Sequence, residues 1–166
     1  MQKITPHLWY IDNAVNAAKF YTSIFPKSRV DRVTTLASDS PSGPADSVEV
    51  VEFTLFGQPF MAISAGRLDA FNHSISFMVN CDNQKEIDRY WTALLEGGGS
   101  SEPCGWVRDR YGVSWQVTAT ELREMLADPD RERAKRATDA MLSMTKIDLA
   151  ALRAAYEGEP ATASAR

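Results

Sequence analysis

The stretch Cys104-Gly-Trp-Val-Arg-Asp-Arg-Tyr-Gly-Val-Ser-Trp-Gln-Val117 reads as two short strands joined by a tight turn at Arg110-Tyr111-Gly112. Gly112 has no side chain to oppose a positive φ, which such a turn requires. Beyond the turn, strand alternation places Trp115 and Val117 on one face and Ser114 and Gln116 on the other. A neutral amide, Gln116, therefore stands on the polar face of a terminal strand.

Working back from this hairpin, Asn83 and Glu86 have capping-box spacing and open a helix that buries Ile87, Tyr90, Trp91, Leu94 and Leu95. Gly97-Gly98-Gly99 ends that helix. Ser74 to Val79 alternates as a strand, with Ser74, Ser76 and Met78 on one face and Ile75, Phe77 and Val79 on the other. Counting strands leaves one place unfilled, for which a short piece near Gly99 to Glu102 is the candidate.

The first half follows the same grammar. Ile4 to Ile11 is a strand, and Asp12 or Asn13 caps a helix running to about Phe25. Arg29 to Ala37 is a second strand. The Ser-, Pro- and Gly-rich run 38–46 is a loop. Ser47 to Phe56 and Pro59 to Ala65 form a hairpin about Gly57-Gln58. The pattern is β-α-β-β-β twice, a repeat of elements rather than of residues. From Thr120 the chain turns helical. Thr120, Asp130 and Asp148 cap three helices, and the tail from Glu157 is small and polar and expected to fray. The expected fold class is α+β, two β-α-β-β-β modules forming a curved mixed sheet. The expected division is a sheet domain, 1–119, and a helical extension, 120–166.

The formal net charge of -4 over 166 residues argues against nucleic acid or an anionic membrane as partner. No apolar run is long enough to cross a bilayer, and the N-terminus lacks the apolar stretch of a secretory signal. The expected location is cytoplasmic. Cys81 and Cys104 fit no zinc spacing and read as free, partly buried thiols. Arg131, Arg133, Lys135 and Arg136 alternate with acids and read as a solvated helix face. Asp109 reads as the organiser of its turn, with a general base as the alternative.

Several stretches together resemble the PhnB-like family of the vicinal oxygen chelate superfamily. They are Ile4-Thr-Pro-His-Leu-Trp-Tyr, Ala17-Ala-Lys-Phe-Tyr, Phe25-Pro-Lys-Ser-Arg29, Ser74-Ile-Ser-Phe with Asn80-Cys81, Tyr90-Trp91, and Cys104-Gly-Trp through Ser114-Trp-Gln. The resemblance covers residues 3 to 119. The ending Lys146-Ile-Asp-Leu-Ala-Ala-Leu to Tyr156 is also similar to that of many members. The resemblance implies the glyoxalase/dioxygenase-like fold, a concave site for a small molecule, and a homodimer. It also implies a divalent metal held on the concave face by His, Glu or Gln and acting as a Lewis acid. On this chain the matching positions offer His7, with His73 just before Ser74, and Gln116 as the metal inventory. Ser64, Ser74, Ser76, Gln116 and Trp106 are the ligand-binding candidates. Amides and hydroxyls are weak ligands for a transition metal, so the implied set is degenerate.

Many members of the family carry the label 3-demethylubiquinone-9 3-methyltransferase. The residues give methyl transfer no support, because no glycine-rich turn lies between a first strand and its helix. Three readings follow: an enzyme of the vicinal oxygen chelate type, with or without a metal; a metal-free protein sequestering an apolar or aromatic ligand; and an interaction module using the C-terminal helices.

Overall fold

The structure, a computed structural model, describes residues 3–66 and 69–159. The chain divides into two compact units, Met1–Ala70 and Phe71–Arg166.

In the first unit β1 (His7–Tyr10), α1 (Ala14–Ile24), β2 (Arg29–Thr35), β3 (Glu49–Leu55) and β4 (Gln58–Ser64) follow in that order. The sheet order is β1-β4-β3-β2, with β1 parallel to β4 and the other pairs antiparallel. A parallel pair needs a long crossover, and α1, β2 and β3 supply it. Leu8, Tyr10, Val51, Phe53 and Ala62 are buried, as are Ala14, Ala17, Ala18, Tyr21 and Ile24 of α1. The alanines let the helix approach the strands. Tyr21 then stacks on Phe53, ring centroids 6.5 Å apart, and its hydroxyl meets that of Tyr10 at 3.2 Å. The start of α1 departs from expectation. Asn13 occupies the cap position at φ 68 without a side-chain cap bond, and the free amide of Ala14 donates instead to Ser64 Oγ at 3.2 Å.

The second unit repeats the plan. Its sheet is β5 (Phe77–Cys81), β8 (Ser114–Ala119), β7 (Trp106–Arg108) and β6 (Ser100–Ser101) in spatial order. The unfilled place of the repeat is thus taken by the two-residue β6. α2 (Gln84–Leu95) is capped as its sequence indicates. Asn83 accepts from the amide of Glu86, and Glu86 accepts from the amide of Asp82. Ile87, Tyr90, Trp91 and Leu94 bury against the face that carries Val79, Val107, Trp115 and Val117.

Three helices close this unit: α3 (Thr120–Leu126), α4 (Arg131–Ser143) and α5 (Leu149–Glu157). Asp130 and Asp148 cap α4 and α5 through their side chains. Thr120 does not cap α3; it is the first helical residue, and its hydroxyl donates to Asp82. The basic run of α4 is only partly a solvated face. Arg133 lies over the Tyr156 ring at 4.3 Å and pairs with Glu157, while Arg136 donates to the terminal carbonyls of Ala155 and Tyr156. The Ala155 carbonyl also accepts from the Gly158 amide at 3.0 Å, as helix-end carbonyls need partners from beyond the helix. The expected fraying tail ends α5 at Glu157, followed by Gly158 at φ 81; residues 160–166 lie outside the described ones.

The helices from residue 120 lie in the second compact unit. The amides of Cys104 and Gly105 donate to the carbonyls of Met144 and Thr145 at 2.8 and 2.7 Å. Gln84 spans the next step, donating to the Ile147 carbonyl and accepting from the Leu149 amide. Ile147 itself is fully buried.

Both cysteines are free. Cys81 is buried, and burial, then Glu86 and Asp82, push its thiol up to about 12. Cys104 is partly exposed. A thiol reagent at pH 8 is therefore expected to label one sulfur in the native protein and two in denaturant, because the thiolate is the reactive form. Rapid native labelling of Cys81, read by peptide mass, would contradict the packing described.

Candidate small-molecule site

The hairpin that carries the site is built around one buried carboxylate. Asp109 accepts from the amides of Tyr111 at 2.8 Å and Val113 at 3.1 Å, and from the Trp115 indole at 2.7 Å. Its own carbonyl accepts from Gly112, which sits at φ 84. Asp109 is thus the organiser of the turn.

With the turn set, register decides the two faces of the second sheet. Met78 pairs with Gln116 and Gln116 with Trp106, while Arg108 pairs with Ser114. Paired residues project to the same side. Met78, Ser114, Gln116, Trp106 and Arg108 therefore share the face opposite α2. Gln116 donates its amide to Ser76 Oγ at 2.8 Å. His73 joins the same group. Its ring lies 5.4 Å from that of Trp106, and its Nε2 is 2.5 Å from Glu102 Oε2.

Arg108 completes the cluster. Its guanidinium lies 3.2 Å from His73 Nδ1 and 3.5 Å from Glu102 Oε1. A guanidinium can only donate. The same guanidinium nitrogen is 3.5 Å from Nε2, which also meets Glu102, so both ring nitrogens of His73 face a partner. Two atoms of the cluster remain without partners although buried: Arg108 Nε and Ser114 Oγ. Ser114 is only 2 % exposed. Buried polar groups in folded proteins nearly always have a partner, either protein or ordered water, and the protein supplies none to these two.

Of the sequence candidates, the fold brings Ser76, Gln116, Trp106 and His73 together. Ser74 is not among them. Its amide is tied to Asn72 Oδ1 at 2.8 Å in a turn, and β5 begins only at Phe77. The expected strand position of Ser74 is therefore corrected, and the hydroxyl that meets Gln116 is that of Ser76. Ser64 and His7 belong to the first unit. Ser64 is occupied at the start of α1, as described above. His7 lies on the opposite face with Trp9, ring centroids 5.6 Å apart, and desolvation lowers its pKa from the ordinary value. Arg108, Glu102 and Ser114 were missed as candidates. Arg108 alternates with Trp106 on β7, and the alternation that selects Gln116 also selects Ser114.

The divalent metal implied by the family resemblance finds no fitting donor set in this cluster. His73 has no free nitrogen, Glu102 is committed to His73 and Arg108, and a fixed cation stands among them. Among the described residues no group of three or more His, Cys, Asp or Glu is arranged to hold a metal ion.

Comparison with known proteins agrees with this architecture. The PhnB protein of Bacillus cereus shares 31% identity over 71% of this chain and all of its own, with a TM-score of 0.59. Protein PA1353 of Pseudomonas aeruginosa is 23% identical, covers 72% of this chain and 98% of its own, and has a TM-score of 0.54. The fosfomycin resistance protein FosX of Mesorhizobium loti shares the fold at 14% identity and a TM-score of 0.54, over 77% of this chain and 100% of its own. The fold is that of the vicinal oxygen chelate superfamily. The model of the family described as 3-demethylubiquinone-9 3-methyltransferase matches residues 2–118, and the chain belongs to that PhnB-like family. No curated protein matches the chain. Among the described residues no helix is long and apolar enough to cross a membrane.

Proposed function

We propose that the chain binds a small organic molecule on the face of the second sheet that carries Trp106, Arg108, Ser114 and Gln116, without using a metal there. The pair of buried atoms without partners, Ser114 Oγ and Arg108 Nε, carries this reading. Each would cost about 1–3 kcal/mol if left unsatisfied, so both need a partner that the protein does not supply. Trp106 supplies a flat apolar surface beside them, suited to an aromatic or apolar ligand body.

Methyl transfer, which the family description names, has no support in these elements. The connection from β1 to α1 is Ile11-Asp12-Asn13, without the glycines that let a backbone approach a nucleotide cofactor. A metal-assisted enzyme is disfavoured by Arg108 among the donors. Pairing with a second copy of the chain is part of the reading, and light scattering would decide it.

The test is a melting-temperature screen with benzoate, phenylphosphonate, benzamide and larger aromatic analogues, in wild type and in Trp106→Ala. A ligand that binds only the native state raises the melting temperature by mass action. Trp106→Ala is expected to weaken binding about 10- to 100-fold, as loss of an aromatic anchor does. No shift with any compound, or shifts untouched by the substitution, would overturn the proposal.

A further inference from the structure

We propose that the group recognised at this site is an oxyanion, a carboxylate or phosphonate borne by the small molecule, and that Arg108 Nε and Ser114 Oγ are its donors. The inference rests on the binding reading above and names the chemistry of its ligand.

The argument is one of hydrogen-bond valence. Arg108 is held from the far side. His73 Nδ1 and Glu102 Oε1 take its terminal nitrogen, so the guanidinium is oriented before any ligand arrives. Its Nε–H is buried and has nothing to donate to. Ser114 stands directly across from it in the β7–β8 register, where facing Cβ atoms lie about 5 Å apart. Its hydroxyl is likewise buried and unmatched. An arginine nitrogen cannot accept a hydrogen bond and carries positive charge. The missing partner is therefore an acceptor and not a cation. One oxygen able to receive two bonds, with negative charge to meet the guanidinium, satisfies both atoms at once, and charge-assisted bonds of this kind are the strong ones. Glu102 already offsets much of the arginine's charge, which favours a singly charged group and makes binding depend on these local bonds more than on a long-range field. The body of the ligand then lies toward Trp106.

The experiment follows the Arg108 Nε–Hε resonance, assigned by its loss in Arg108→Lys, during titration with benzoate, phenylphosphonate and benzamide. The acids are expected to move the resonance downfield and benzamide to leave it in place. Ser114→Ala should weaken benzoate about 10- to 100-fold, the loss of one bond to a charged group. The same substitution should raise the melting temperature of the unliganded protein by about 2–4 °C, since it removes an unsatisfied buried hydroxyl. A merely structural serine would not give both effects. Arg108→Gln should abolish the preference for acid over amide. If acids and benzamide bind alike, the binding reading stands and the oxyanion inference falls. An unmoved resonance with unchanged stability of Ser114→Ala means that ordered water satisfies the pair, and also ends it. If no compound of either kind binds, both proposals fall together.

Discussion

Asp109→Ala is expected to lower the stability of the protein by about 4 kcal/mol, the largest effect of any single polar substitution in the hairpin. Three donors converge on this carboxylate: the amides of Tyr111 and Val113 and the indole of Trp115. Removing it strands all three, at about 1–3 kcal/mol for each buried group left unsatisfied. In a chain of this length such a loss lowers the melting temperature by roughly 8–16 °C. Asp109→Asn should fall between the two. One oxygen can still receive both amides, but the new NH2 faces the indole N–H, donor against donor. Chemical denaturation of the three proteins orders them wild type, Asn, Ala. A general base with no structural duty would leave stability unchanged in Asp109→Asn, and that result would refute the account of the turn.

Gly105→Ala is expected to cost about 3 kcal/mol, for a reason that lies outside its own turn. Gly105 sits at φ +81, and a Cβ built there would lie 2.7 Å from the Val117 carbonyl oxygen and 3.1 Å from Cγ1 of Ile147. The left-handed conformation alone costs about 1–2 kcal/mol for a residue with a side chain. The clash with backbone adds to it, because Val117 is held in the sheet by bonding its amide to the Gly105 carbonyl at 2.7 Å. Gly98→Ala provides the control. Its φ is +112, but a Cβ there meets nothing within 4 Å, so only the conformational cost applies. Urea unfolding should separate the two variants clearly. Faster hydrogen exchange at Cys104 and Gly105 in Gly105→Ala would show that the bonds to Met144 and Thr145 have loosened. Equal losses in Gly105→Ala and Gly98→Ala would contradict the close packing of Ile147 on this strand.

The two positions show what kind of information was legible in the chain. Asp109 and Gly112 are read within their own turn, since the amides of Tyr111 and Val113, the Trp115 indole and the Asp109 carbonyl all lie within six residues. Asn83 with Glu86, and Asp130 and Asp148 before their helices, are legible for the same reason: a cap bonds amides two or three residues away. Gly105 looks like any strand glycine until Ile147 and Val117 are brought against it. Arg133 and Arg136 look like solvated charge until α5 delivers its terminal carbonyls and Tyr156.

The site divides along the same line. Alternation puts Ser76 on the polar face of its strand and Gln116 on the polar face of its own, while only the register of β7 on β8 brings Trp106 beside Gln116. Ser74 was misplaced because its Asn72-bonded turn delays the strand to Phe77, a competition between side-chain and ladder bonding that periodicity does not register. Ser64 alternates correctly within β4, yet its pairing with Tyr10 turns it toward the start of α1.

From its amino acids alone this protein is legible as a doubled β-α-β-β-β chain with a tight turn at 110–112, capped helices, and a polar strand face bearing Gln116. Those features depend on spacings of two to four residues, over which covalent geometry and local hydrogen bonds act. Only the tertiary structure set Arg108 across from Ser114, engaged both nitrogens of His73, and seated Ile147 on Gly105. Such neighbours are chosen by strand register and by packing between distant segments, where a slip of one residue would reverse every face.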